Sequence, residues 1–228
     1  MKLWNYFSKF EKILWLVSFL AVVISFLIFD RENWLSLAAS VIGVTFLIFL
    51  AKGNPIGQFL TIVFSILYAI ISYSFAYYGE MITYLGMTAP MALLALIAWL
   101  RHPYQGNKAE VEVNSISKRE VVFMFALTGI VTFIFYFILS ALGTANIVPS
   151  TVSVTTSFLA AYLTFRRNHY YALAYATNDL VLVVLWALAT MTDIHYVSLL
   201  VNFIVFAVND FYGFINWNRM KKKQAAGF

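Results

Sequence analysis

Residues 207–217 read AVNDFYGFINW, and residues 178–186 read NDLVLVVLW. In both, an amide and a carboxylic acid stand side by side in an apolar, aromatic run that leads to a Trp. Asp179 and Asp210 are the only ionisable side chains, tyrosines aside, well inside a long apolar run. A carboxylate at the centre of a bilayer costs at least about 2.5–3.5 kcal/mol on insertion scales. Each acid therefore needs a partner or a task. Either it ties helices together through hydroxyls and amides, or it lines a pathway and faces a polar or cationic solute.

Residues three, four or seven apart share a helix face. Tyr171, Tyr175, Asp179 and Trp186 share one, and Asn178 adjoins it. Further on, Asn202, Asn209 and Asn216 repeat every seven residues, Asp210 aligns with Trp217, and Tyr212 follows Asn209 by three. Polar stripes recur elsewhere: Gln58, Thr61, Ser65, Tyr68 and Ser72; Thr128, Thr132, Tyr136 and Ser140; and Tyr84, Thr88, Met91 and Trp99, interrupted by Pro90. A lone Ser or Thr in such a stripe serves helix packing. Three stripes aimed at one centre predict a hydrated or ligand-lined cavity.

The elements that must position these residues are membrane spans. The 228 residues are 62% hydrophobic and 11% charged, with mean hydropathy +0.82, against about a half and a quarter in soluble domains. Eight runs approach the roughly 20 apolar residues that a spanning helix needs: 12–29, 33–51, 56–78, 81–100, 121–142, 150–165, 170–190 and 194–217. The first run is read as a retained helix, since no small-x-small cleavage site follows it. With the N-terminus in the cytoplasm, 14 of the 15 Lys and Arg fall on the inner side and only Arg31 outside, as the positive-inside rule requires. Both termini are thus expected in the cytoplasm. The net charge of +5 is a topology signal and calls for no nucleic-acid partner. The polar stretch 101–120 reads as a cytoplasmic linker whose Ser117-x-x-Glu120 fits a capping box.

Residues 33–101 and 151–219 each hold three spans, ending in Trp99-Leu-Arg101 and Trp217-Asn-Arg219. Each has a basic turn with Asn, Lys52-Gly53-Asn54 and Arg166-Arg167-Asn168, offset by 114 residues. This predicts an all-α, SWEET-like 3+1+3 parallel repeat, with its site between the halves. The divisions are an additional helix in 1–32, a first repeat in 33–101, linker and connecting span in 102–149, a second repeat in 150–219, and a basic cytoplasmic tail in 220–228. At about 1.5 Å per residue, Asn178-Asp179 and Asn209-Asp210 lie at similar depths, roughly 13 and 11 Å from the inner side. Trp186 and Asn202 fall about 10 Å further out.

Several chemistries find no support. The chain has no Cys, and His102, His169 and His195 are far apart, so neither a cofactor nor a metal is expected. GNPIGQ at 53–58 lacks the ending of a Walker A loop. Paired intramembrane acids occur in aspartyl intramembrane proteases, but their Tyr-Asp and Gly-x-Gly-Asp pattern is missing. An intramembrane aspartyl hydrolase is thus a remote alternative, and the chain is read as no enzyme.

Tyr78-Gly79-Glu80-Met81, Asn178-Asp179 with Trp186, and Asn209-Asp210-x-Tyr212-Gly213-Phe214-x-x-Trp217 resemble PnuC-type vitamin transporters, above all the nicotinamide riboside transporters. The likeness covers about residues 30–220. It implies a bacterial inner-membrane protein that moves nicotinamide riboside by facilitated diffusion, with uptake driven by a cytoplasmic riboside kinase that need not touch it. The expected site comprises Asn178, Asp179, Trp186, Asn202, Asn209, Asp210, Tyr212, Tyr84, Thr88, Tyr68 and Tyr175. Aromatic faces such as Trp186, Tyr175 and Tyr84 suit the cationic ring, at about 0.5–2 kcal/mol each. Asn178 or Asn202 suits the carboxamide, and Asn209 and Asp210 the ribose. Thiamine and riboflavin are the alternative vitamins, and a homo-oligomer in the bilayer is left open.

Overall fold

Eight helices long and apolar enough to cross a bilayer make up most of the computed structural model, which describes residues 5–74, 78–144 and 146–227. They are α1 Lys9–Phe29, α2 Trp34–Ala51, α3 Pro55–Ser74, α4 Tyr78–Arg101, α5 Lys118–Ala141, α6 Ile147–Phe165, α7 Tyr171–Thr190 and α8 Val197–Ala225. Each expected span falls on one helix. The end of the expected third span reaches residues 75–77, which lie outside the described residues.

The neighbours α2–α3–α4–α6–α7–α8, with α8 returning to α2, form a closed ring. Apolar side chains cover the outside; Val122, Phe133 and Ile70, for example, are more than half exposed. Such a surface suits lipid rather than water. Two helices stand outside the ring. α5 packs chiefly on α6, and only 11% of its apolar window is buried. α1 lies in the seam between α2 and α8.

One end of the ring carries the basic turns. Gly53 and Arg167 are both left-handed, at φ 66° and 58°, where Gly is the usual residue. Their hydrogen bonds match at the 114-residue offset. Gly53 N–H donates to Leu50 O and Arg167 N–H to Thr164 O, both at 2.9 Å. The Asn54 and Asn168 side chains accept from the Ile56 and Tyr170 N–H groups, both at 3.0 Å. The linker joins the turns. Val111 N–H donates to Gly53 O and Asn114 N–H to Arg167 O, both at 2.9 Å. It is therefore no loose connector. Strands β1, Pro103–Tyr104, and β2, Asn107–Val111, form an antiparallel hairpin, turning through Gln105 and Gly106 at positive φ, as tight hairpins require.

One local expectation is corrected: only half of the capping box at α5 forms. Ser117 Oγ accepts from Glu120 N–H at 3.2 Å, but the Glu120 carboxylate turns to Arg166 and to Tyr162 on α6. A full box forms at α1, between Ser8 and Glu11. The basic tail is helical as far as Ala225, because Gln224 accepts from Val113 N–H at 2.8 Å and donates to Val111 O at 3.0 Å.

Candidate functional site

At the basic end the ring is filled by Trp99, Tyr171 and Trp217, all fully buried. Their ring centroids lie 4.7–6.3 Å apart. The polar atoms cross between elements: Trp99 Nε1 donates to Thr164 O at 2.9 Å, Trp217 Nε1 to Leu50 O at 2.8 Å and Tyr171 OH to Leu50 O at 3.0 Å. These carbonyls close helix ends and also accept from the basic turns, Leu50 O from Gly53 N–H and Thr164 O from Arg167 N–H, so each ties an aromatic side chain to a turn. A Cβ at Gly213 would stand in ordinary contact, 3.4 Å from Ala172 Cβ and 3.8 Å from Ala51 Cβ, so α8 lies close to α7 and α2 at that turn.

Deeper in, the ring encloses a cavity of about 50 Å³. Its polar wall is Gln58 and Thr61 from α3, Tyr84 and Thr88 from α4, Ser157 from α6, Tyr175, Asn178 and Asp179 from α7, and Asp210 from α8. Phe46, Phe64, Phe203 and Phe206 supply much of the apolar wall. No Lys, Arg or His is among the lining residues.

Local structure aims these groups. Residues Tyr84–Thr88 form a π-helical turn in which Ala89 N–H reaches back to Tyr84 O. Pro90 has no N–H to give the next carbonyl. The wider turn sets Tyr84 and Thr88, four residues apart, on one face. Asn178 is oriented by α6. Its Oδ1 accepts from Thr156 at 2.8 Å, Ser157 at 3.0 Å and Ser153 at 3.3 Å. With the oxygen committed, its NH₂ is the free end and acts as a donor. The opposite polarity comes from Asp179, whose buried Oδ2 has no hydrogen-bond partner.

Of the eleven residues expected at the site, Tyr84, Thr88, Tyr175, Asn178, Asp179 and Asp210 line the cavity. Three lie beyond it, away from the basic end. The Tyr68 ring sits 4.3 Å from Tyr84, Trp186 stacks parallel to Phe203 at 6.4 Å, and Asn202 is buried with its Oδ1 without a partner. The other two point elsewhere. Asn209 donates to Ser18 Oγ on α1 at 2.8 Å, and Tyr212 OH donates to Glu11 Oε1 at 2.8 Å. Both serve the contact between α8 and α1. Glu11 is nearly buried, accepts from Ser8 N–H at 2.6 Å and pairs with Lys52 at 3.3 Å. At the far end Ser198 donates to Asp30 at 3.5 Å, and burial pushes the Asp30 carboxyl above its ordinary range.

The stripe on α5 does not reach the cavity. Thr132 bonds Thr155 at 2.9 Å and Tyr136 is 45% exposed, because α5 stands outside the ring. Gln58 and Thr61 do reach it; their stripe was the signal for them. Ser157 carried no signal beyond the Ser/Thr richness of its span.

The sequence model described as nicotinamide mononucleotide transporter matches residues 33–219. A relative from Neisseria mucosa, a nicotinamide riboside transporter PnuC, is 26% identical across 98% of this chain and 86% of its own length. Another of that name, from Haemophilus influenzae, is 20% identical across 93% and 91%. A crystal structure of the vitamin B3 transporter PnuC superposes with a TM-score of 0.82 at 26% identity, covering 95% of this chain and 94% of that one.

Proposed function

We propose that this chain, which belongs to the nicotinamide mononucleotide transporter family, carries nicotinamide riboside through a membrane and performs no chemistry on it. The observation behind this reading is the cavity wall: two carboxyls, two side-chain amides, two tyrosines and no basic residue. The riboside brings a pyridinium cation, a carboxamide and sugar hydroxyls. Tyr84 and Tyr175 offer faces to the cation. Asn178 donates to the carboxamide, and Asp179 and Asp210 accept from hydroxyls while balancing the positive charge.

The same wall disfavours the mononucleotide. Like charges about 5 Å apart at an effective dielectric near 20 repel by about 3 kcal/mol, and a phosphate would meet two carboxyls with no cation to offset them. Riboflavin is larger and carries no cation for the acids to balance. Tyr68, Trp186 and Asn202 form the next layer along the path. Asn209 and Tyr212 hold α1.

The layer of Trp99, Tyr171 and Trp217 closes one side of the cavity and the layer of Tyr68, Trp186 and Phe203 the other. Facilitated diffusion then proceeds by opening these layers alternately as the two three-helix sets rock, with a cytoplasmic kinase trapping the product. The charge distribution supports a bacterial inner-membrane setting with both termini in the cytoplasm.

The test is a binding panel on purified protein with nicotinamide riboside, nicotinamide mononucleotide, thiamine and riboflavin. The riboside is expected to bind and the mononucleotide to bind at least about 100-fold more weakly. Thiamine binding without riboside binding would overturn the assignment.

A further inference from the structure

The small hydroxyls around the cavity are committed. Thr61 OH donates to Gly57 O at 2.9 Å, and Thr88 OH points at Thr83 O at 3.4 Å. Ser157 OH is spent on Asn178. Gln58, like the NH₂ of Asn178, is not. It is 2% exposed, lines the cavity, and its Nε2 has no hydrogen-bond partner. It sits on α3, one turn before Thr61, in the opposite three-helix set from Asn178.

A buried amide without a partner loses the hydrogen bonds it had in water and gains nothing in return. Position 58 could hold Leu or Met at less penalty in an apolar helix. Its amide is intelligible as a group completed from inside the cavity. The acceptors of a riboside are its hydroxyl oxygens, the weakly basic ring oxygen and one carbonyl oxygen, the strongest of them. The hydroxyls also have protons to give, and those fit the acids at 179 and 210. The carbonyl can only accept, and so needs donors.

We propose that Gln58 is a specificity-determining residue that donates from Nε2 to the solute's carboxamide oxygen, opposite Asn178, so that both three-helix sets grip one group. This rests on the riboside reading above and adds a contact from α3. One consequence is mechanical. A carbonyl held from both sets is a bridge that draws them together when the solute is present, as closure of the cavity requires. A pyridinium riboside without the carboxamide lacks that bridge.

The experiment compares nicotinamide riboside with N-ribosylpyridinium, which keeps the cation and sugar and lacks the carboxamide, on wild type and on Gln58→Met. Titration calorimetry is expected to show wild type preferring the amide by about tenfold or more. Gln58→Met should lose most of that preference while binding N-ribosylpyridinium within about twofold of wild type. Equal affinity of wild type for the two compounds would overturn the proposal without reference to any variant. So would a Gln58→Met protein that keeps the full preference, or one that loses both compounds equally, since Gln58 would then be structural. Wild type that fails to bind nicotinamide riboside at all would instead sink the riboside reading.

Discussion

The two Asn-Asp dipeptides, 178–179 and 209–210, are identical in sequence, sit on adjacent helices and lie about two turns from the same aromatic layer. They differ in what surrounds their helices. α7 is flanked by α6 and α8 inside the ring, so Asn178 is gripped by α6 hydroxyls and both residues line the cavity. α8 also has α1 against it. Consecutive helical positions diverge by about 100°, so Asp210 faces the cavity and Asn209 faces Ser18 of α1. The same two residues therefore both line the cavity on one helix, and on the other divide between cavity wall and helix clasp. A motif names residue types; the neighbours decide the role.

Mutations can break this comparison. The largest effect is expected at the acids. Asp179→Ala or Asp210→Ala removes a carboxyl acceptor from beside a cationic solute, where hydrogen bonds involving a charged group contribute about 1.5–3 kcal/mol. Riboside affinity should fall roughly 10- to 150-fold, measured by calorimetry. Unchanged affinity in either variant would remove that acid from the site. Asn178→Ala comes next. It deletes a donor and removes the shared acceptor of Ser153, Thr156 and Ser157, and affinity should fall about five- to tenfold for a loss near 1 kcal/mol.

The clasp should answer on a different axis. Glu11→Gln weakens the ion pair with Lys52 and the bond from Tyr212. A loss of about 1–3 kcal/mol is expected for a buried charged group, seen as a lower melting temperature in detergent. Riboside affinity should stay within twofold, and a tenfold drop would tie α1 to the site itself. The smallest effect on binding is expected at Asn209→Ala, which loses a bond to Ser18 and should cost about 1 kcal/mol of stability with affinity again within twofold. An Asn209→Ala protein that binds as poorly as Asn178→Ala would erase the distinction between the two dipeptides.

Much of the fold was legible because the bilayer enforces it. Apolar length and the one-sided distribution of Lys and Arg located each of the eight helices. The acids at 179 and 210, which line the cavity, stood out in the sequence because a carboxyl in an apolar run has few other uses. The roles of Asn209 and Tyr212 were not. Their spacing says which face of α8 they occupy, whereas the identity of the helix on that face depends on where α1 docks, and α1 is apolar almost all round. The apolar wall of Phe46, Phe64, Phe203 and Phe206 was hidden for a related reason. In a chain whose lipid-facing surface is as apolar as its interior, hydrophobicity does not mark the inside. The polar stripe of α5 misled because a hydroxyl bonded to its own helix, as Thr128 is, or to the next one, as Thr132 is, is tolerated outside the ring.

The most direct test of the central claim is an experimental structure of the protein with nicotinamide riboside bound. The account predicts nucleoside density enclosed by the ring, touching Asn178, Asp179 and Asp210, with Asn209 and Tyr212 still bonded to α1. Density between α1 and α8, in contact with Asn209 and Tyr212 and away from Asp179, would contradict it.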